Sequence, residues 1–257
     1  MDTILTIKGL SHYFEGLRAI SDFNLDLKEG ELLGIIGPNG SGKTTFFNIL
    51  TGIYRPTQGS IIFRNKEISG SEPHEITSMG IGRTFQNIRL FNRLSVIDNV
   101  RTAFNANTGY SLIEALFHIG RYRKEEKRIT ERSIELLKKF DIAQYAMTSA
   151  NNLSYGIQRR LEIVRALATN PVLLLLDEPA CGMNQGEIKE LLDLILWIKK
   201  EFSLTIILIE HQMSLVMGLC ERLTVLDFGV TIAEGLPYEV RNNPKVLAAY
   251  LGDDINQ

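Results

Sequence analysis

Cysteine is scarce in this chain, with two residues in 257, Cys181 and Cys220. Such a pair makes no disulfide framework and suits a reducing compartment. Long hydrophobic runs are missing too: none approaches the roughly 18 residues of a membrane-spanning helix. The longest, residues 172–176 and 204–209, have the length of buried strands. At the N-terminus, Met1-Asp2-Thr3-Ile4 lacks a basic segment leading into an apolar stretch, so no secretory signal is expected. Neither charge sign dominates: 28 Lys and Arg face 30 Asp and Glu, a net charge of -2. That excludes a global basic field for nucleic acid or anionic lipid. No repeat, low-complexity tract or Pro/Gly/Ser-rich linker divides the sequence. These absences lead to the expectation of a soluble cytoplasmic protein with one well-cored domain.

What is present is an ordinary globular balance, 44% hydrophobic and 23% charged. Residues 4–8 read as a strand, as do 23–27, where Phe23, Leu25 and Leu27 alternate with Asn24 and Asp26. The apolar run 32–36 predicts a buried strand, followed by a glycine-rich loop and a helix over 43–50. Further strands are expected at 60–64 and ending near 82–86. Residues 95–168 turn mostly helical, and the dense mixed charge of 121–139 reads as a solvated helix face. Strand patterns return at 172–176 and 205–209 with a helix over 187–200 between them. A hairpin is expected for 223–227 and 230–234 around Phe228-Gly229, and a last helix for 245–251. Strands alternating with helices around buried apolar runs predict an α/β domain with a mostly parallel sheet, interrupted by a helical segment.

Gly37-Pro38-Asn39-Gly40-Ser41-Gly42-Lys43-Thr44 matches G-x-x-x-x-G-K-[ST] in full, between the buried strand and the helix. The glycines let the backbone curl until successive N–H groups point inward at phosphates, and the helix N-terminus adds positive potential. Lys43 is expected to reach the β- and γ-phosphates, the Thr44 hydroxyl to ligate Mg²⁺, and Thr45 to extend the nucleotide contacts. Alone, this motif defines only a P-loop NTPase. A second element, Leu173-Leu174-Leu175-Leu176-Asp177-Glu178-Pro179, ends a buried strand with two acids. Asp177 suits a carboxylate that holds Mg²⁺, and Glu178 a base that polarises the attacking water. The adjacent glutamate argues against a GTPase, where a glutamine usually positions the water.

Leu153-Ser154-Tyr155-Gly156-Ile157-Gln158-Arg159-Arg160 resembles the signature sequence of ABC ATPases, usually Leu-Ser-Gly-Gly-Gln, with Tyr155 in place of the first glycine and Ile157 in place of the glutamine. The resemblance implies that Ser154, Tyr155 and Gly156 face the ATP of a partner subunit. It assigns Gln86 to the glutamine that senses Mg²⁺ and the attacking water, and His211 to the switch histidine at the γ-phosphate. It gives Phe14 the adenine-stacking role, with Tyr13 the neighbouring competitor. Asn184 stands where the family usually has aspartate, in a loop that touches the opposite subunit. The order phosphate loop, glutamine, signature, acidic pair, histidine spans most of the chain.

Within that family, residues 80–91, 153–156, 177–184 and 210–213, and the tail from Ile232 to Gly252, are most similar to branched-chain amino acid importer ATPases. The likeness is to the larger of their two ATPase subunits, with residues 101–135 as its extra insert. The resemblance implies an N-terminal antiparallel β layer and a P-loop core at 1–86 and 170–257, with a helical subdomain at 87–169. It further implies ATP and Mg²⁺ as ligands and a second ATPase subunit, identical or paralogous. It also implies two transmembrane permeases, an extracytoplasmic solute-binding protein met indirectly, and a peripheral place on the inner face of the cell membrane. The residues Ile88, Leu90, Phe91 and Leu94 are candidates for a docking groove or for ordinary core. A urea or amide importer, a lipopolysaccharide exporter and a non-transport ABC ATPase are the alternatives.

Overall fold

The computed structural model describes residues 2–104 and 121–254. Residues 105–120 of the predicted insert therefore lie outside the described residues.

Two sheets form from two different hydrophobic patterns. The first is antiparallel, in the order β2-β1-β4-β5, made of β1 (Thr3–Phe14), β2 (Leu17–Lys28), β4 (Gln58–Phe63) and β5 (Lys66–Glu67). In β2, Phe23, Leu25 and Leu27 are buried while Asn24, Asp26 and Lys28 are exposed, as strict alternation requires. Ile20 is buried out of phase with them, because a register shift at Asp22 (φ 48) inserts an extra residue. The strand expected at 4–8 runs on to Phe14 for the same reason, through irregularities at Gly9 and beyond that sequence alternation does not carry. Arg64 and Asn65, both at positive φ, turn β4 into β5 and stop the strand short of residue 64.

The second sheet has the order β10-β9-β3-β8-β7-β6. Its members are β3 (Leu32–Ile36), β6 (Ile81–Arg83), β7 (Leu173–Asp177), β8 (Thr205–Ile209), β9 (Arg222–Asp227) and β10 (Val230–Gly235). All neighbours are parallel except the β9–β10 hairpin. Strands β3, β7 and β8 are buried at every residue, which explains their unbroken apolar runs. Alternate residues serve two cores. Leu33, Ile35, Leu173, Leu175, Ile207 and Ile209 pack with the first sheet and with Phe46 and Phe47 of α1 (Lys43–Leu50). Leu32, Ile36, Leu174, Leu176, Ile206 and Leu208 pack on the opposite side with α5 (Tyr155–Leu167) and α6 (Gln185–Glu201).

Between β6 and β7, after the short α2 (Pro73–Ser78), stand α3 (Val96–Phe104) and α4 (Arg121–Lys139). In α4 only Ile129, Ser133 and Leu137, one narrow stripe at i, i+4 and i+8, are fully buried. Its charges lie outside that stripe, so the helix is anchored along one edge. After β8 come α7 (Met213–Leu219), α8 (Pro237–Arg241) and α9 (Pro244–Asp254). Among the described residues no helix is long and apolar enough to cross a membrane.

Asn184 has a local role at the start of α6. Its Oδ1 accepts hydrogen bonds from Gly186 N (2.9 Å) and Glu187 N (3.1 Å), and Glu187 Oε2 accepts from Asn184 N. This capping box starts α6, and aspartate would serve it equally. Asn184→Ala is expected to lose about 1 kcal/mol, read as a fall of roughly 2–4 °C in Tm. Asn184→Asp is expected to hold or raise Tm, since an anion at a helix N-terminus is favourable.

Candidate functional site

The parallel strands end along one sheet edge, and the sequence-predicted residues gather there. Strands β3 and β7 both flank β8, so the loop after β3, the acids ending β7 and the histidine after β8 share a crevice at the carboxyl ends.

The phosphate loop joins β3 to α1. Two of its glycines are imposed by sterics: a Cβ on Gly37 (φ 153) would lie 2.0 Å from the Leu226 carbonyl oxygen. One on Gly42 (φ 103) would lie 2.5 Å from that of Ala19. The second approach also binds the loop to β2, whose hairpin with β1 carries Phe14 at its tip. Lys43 is buried, its Nζ donating to the Gly37 and Pro38 carbonyls at 2.8 Å each, with Ser41 Oγ at 3.5 Å. Pro38 and Ser41 are buried, Asn39, Gly40 and Thr44 exposed, and Thr45 half-buried.

Glu178 stands at the centre of the edge. Its Oε2 accepts a hydrogen bond from Gln86 Nε2 (2.7 Å) and lies 3.5 Å from His211 Nδ1. Its N–H donates to Ile209 O, and its φ of 42 puts a non-glycine residue in the left-handed region. Such strain costs on the order of 1–3 kcal/mol and recurs where a side chain must be aimed.

Asp177 is tied down by a residue to which the motifs gave no role. Arg83 Nη2 donates to Asp177 Oδ2 (2.8 Å), with both side chains almost wholly buried. Arg83 Nη1 reaches Asn48 Oδ1 and Thr51 Oγ1, and its guanidinium lies 5.3 and 4.9 Å from the rings of Phe47 and Phe85. Burial lowers the Arg83 pKa, and the bond and attraction to Asp177 oppose that shift. The motifs give Glu210 no role either. Fully buried, it accepts from Ala180 N with Oε1, while Oε2 has no hydrogen-bond partner among the described residues, and burial pushes its pKa up.

The strand expected to end at 82–86 stops at Arg83 because the following backbone is captured by α5. Arg159 donates to the Phe85 and Gln86 carbonyls, while Glu162 Oε1 accepts from the N–H groups of Phe85 and Arg89. Arg159 and Glu162, buried and 2.7 Å apart, pass for surface charges in the sequence, where only the i, i+3 spacing hints at a pair.

Ser154 occupies the N-cap position of α5 and makes no side-chain capping bond. A Cβ on Gly156 would meet nothing within 4 Å. The resemblance groups Tyr155 with them towards a partner's ATP; within its own chain its side chain is exposed and its hydroxyl donates to the Cys181 carbonyl at 2.8 Å. Phe14 and Tyr13 are both exposed at the β1–β2 hairpin tip, Phe14 meeting His12 and Tyr54 edge-on.

The profile of the ABC transporter family matches residues 20–181, from β2 through the acidic pair. The chain belongs to the ABC transporter family. The profile described as branched-chain amino acid ATP-binding cassette transporter matches residues 230–255. The high-affinity branched-chain amino acid transport ATP-binding protein LivG of Salmonella typhimurium is 43% identical, over 97% of this chain and 98% of its own length. Among solved structures, the ADP conformation of an ATP-binding cassette of an ABC transporter superposes with a TM-score of 0.85 at 32% identity, covering 98% of this chain and all of that one. A dimeric post-hydrolysis cassette bound to ADP and Pi gives 0.76 at 27% identity, covering 91% and 99%. The chain thus has the ABC ATPase fold, and its family binds nucleotide and couples ATP hydrolysis to transport.

Proposed function

We propose that this chain hydrolyses MgATP at a site completed by a second ATPase subunit and thereby powers import of branched-chain amino acids. The observation that carries the reading is Glu178 held between Gln86 and His211 on the sheet edge that also carries the phosphate loop. The substrate class rests on the likeness to LivG across nearly the whole of both chains.

The residues fit a nucleotide phosphate. The loop's curl admits no Cβ at Gly37 or Gly42, and Lys43 is anchored across it by two backbone carbonyls. They fit Mg²⁺ only together with that nucleotide. An Mg²⁺ ion is commonly held by one or two carboxylates plus substrate phosphates. Asp177, Thr44 and Gln86 would hold it, and when bound it neutralises charge developing on the transferred phosphoryl group. Phe14 would stack on adenine, and residues 37–45 would wrap the phosphates. Glu178 would take the proton of the attacking water, with the Gln86 amide orienting its carboxylate and His211 at the γ-phosphate side.

Ser154 and Gly156 would close over the ATP of the partner, whether a second copy or a paralogue. Gly156 supports this. In the first turn of a helix with open space around it, alanine would gain about 1 kcal/mol, so packing within the chain does not account for the glycine. Gly156→Val is expected to leave Tm and ATP affinity of the isolated chain unchanged while abolishing ATP-dependent dimerisation, read by light scattering. A stable dimer in that variant counts against the shared site. Each subunit would comprise the core at 1–86 and 170–257 and the helical subdomain at 87–169, which carries Ser154 and Gly156.

The complex would comprise two such subunits and two membrane permeases, fed from outside by a solute-binding protein, with this chain peripheral on the inner face. A cleft of about 330 Å³ lined by Ile53, Ile76, Phe85, Phe91 and Arg165 lies beside the Gln86 segment. Phe91 and Leu94 remain exposed there or nearby, so a permease segment seated in it would feel each movement of Gln86. Nucleic acid has no part in this scheme. Uptake of labelled leucine, isoleucine and valine by proteoliposomes carrying the co-purified complex tests the substrate, and uptake of urea alone would replace it.

A further inference from the structure

Three segments of the site meet in one polar network centred on Tyr155. Its hydroxyl donates to the Cys181 carbonyl (2.8 Å) and accepts from Arg159 Nη2 (3.2 Å). The Arg159 guanidinium lies 5.9 Å from the centre of the Tyr155 ring. Arg159 is 1% exposed and continues to the Gln86 carbonyl at 3.0 Å and the Phe85 carbonyl at 2.8 Å. Cys181 is gripped from its other side as well, its N–H donating to the Glu178 carbonyl at 3.2 Å. The peptide units around Cys181 are thus bonded at one end to the residue carrying the proposed base and at the other to the first turn of α5. The segment bearing Gln86, whose amide holds the Glu178 carboxylate, is bonded to the same helix through Arg159.

We propose that Tyr155 is a positioning residue, a latch within the subunit that holds the 181–184 loop in register with Gln86 and Glu178 through Arg159. The glycine usual at this position in the family has no hydroxyl to bridge α5 to the loop, so the substitution adds a connection. It deepens the functional reading above and rests on it: a shift of Gln86 or of α5 on closure is passed to the 181–184 loop, which the resemblance places against the partner subunit. Loop and base then move as one body. None of the hydrogen bonds named for this network ends on residues 37–45, so the latch acts on turnover and leaves nucleotide affinity alone.

Tyr155→Phe removes the hydroxyl and keeps the ring. In the full-length chain its kcat for ATP is expected to fall roughly fivefold, the worth of one hydrogen bond, with KM within about twofold. Amide hydrogen exchange at Cys181 and Met183, whose N–H groups donate to the Glu178 and Ala180 carbonyls, is expected to quicken while the exchange of α1 is unchanged. Tyr155→Gly, which installs the family's usual residue, is expected to lower kcat in the same way, so the effect does not depend on one variant folding well. Unchanged kcat with unchanged exchange at Cys181 and Met183 overturns the latch. A rise in KM without a fall in kcat overturns it too, because the hydroxyl would then serve nucleotide binding. Glu178→Gln measured alongside separates the two levels. If that variant is inactive and Tyr155→Phe is not impaired, only the latch fails. If it turns over normally, the assignment of the base fails first.

Discussion

Glu178→Gln is expected to stop ATP turnover and trap the chain as an ATP-bound dimer. General-base catalysis contributes about 10²–10⁴-fold, so kcat should fall by at least about two orders of magnitude in a phosphate-release assay. Glutamine has the same shape, so its amide oxygen can still accept from Gln86 Nε2 and the strained backbone at φ 42 is kept. What is lost is the ability to take a proton. ATP affinity should therefore change little, since the partners that hold this side chain, Gln86 and His211, lie outside the phosphate loop, and the unhydrolysed nucleotide should hold two subunits together. Size exclusion with light scattering in MgATP is expected to give a dimer for the variant and monomer after exchange into ADP. Near-normal turnover in the presence of its partner subunits would sink the assignment of Glu178 as base.

The parts of the fold most legible in the sequence are those whose pattern is local. Strand β3 and helix α1 lie where the apolar run and the glycine-rich loop put them, because a fully buried strand and a P-loop each write a short uninterrupted signal. The β9–β10 hairpin was legible from Phe228-Gly229, both of which adopt positive φ. Strand β1 was only half visible, since its bulges break the alternation that marks a strand. The site shows the same division. Lys43, Asp177, Glu178 and His211 stand in motifs, whereas Arg83 meets Asp177 across 94 positions and Arg159 meets Gln86 across 73. No local pattern reports such pairs, and a charged residue on a helix reads by default as solvated. Their burial changes what they do. Removing one partner from a buried ion pair costs about 3–5 kcal/mol, so Arg159→Leu would report on folding before it reported on coupling. The Tyr155 hydroxyl is the place where that network can be probed without dismantling it.

Lys43→Ala is expected to abolish useful ATP binding. The ammonium is the one side-chain charge that the loop itself supplies to the phosphates, and hydrogen bonds to charged groups are worth about 1.5–3 kcal/mol each. Losing the equivalent of one to two of them weakens binding by roughly 100-fold or more, which titration calorimetry or a fluorescent ATP analogue can read. The substitution also removes the two bonds by which Lys43 Nζ holds the Gly37 and Pro38 carbonyls, so the loop itself is loosened. Lys43→Met separates these contributions from simple truncation: it fills the buried space along the stem without the charge. If charge recognition dominates, methionine and alanine should lose ATP to a similar degree while methionine keeps the Tm. If the stem's packing dominates, methionine should recover most of the affinity, and the role of Lys43 would be to shape the loop. Unchanged affinity in both variants would remove the phosphate-loop reading altogether, and with it the site around Glu178 as an ATPase centre.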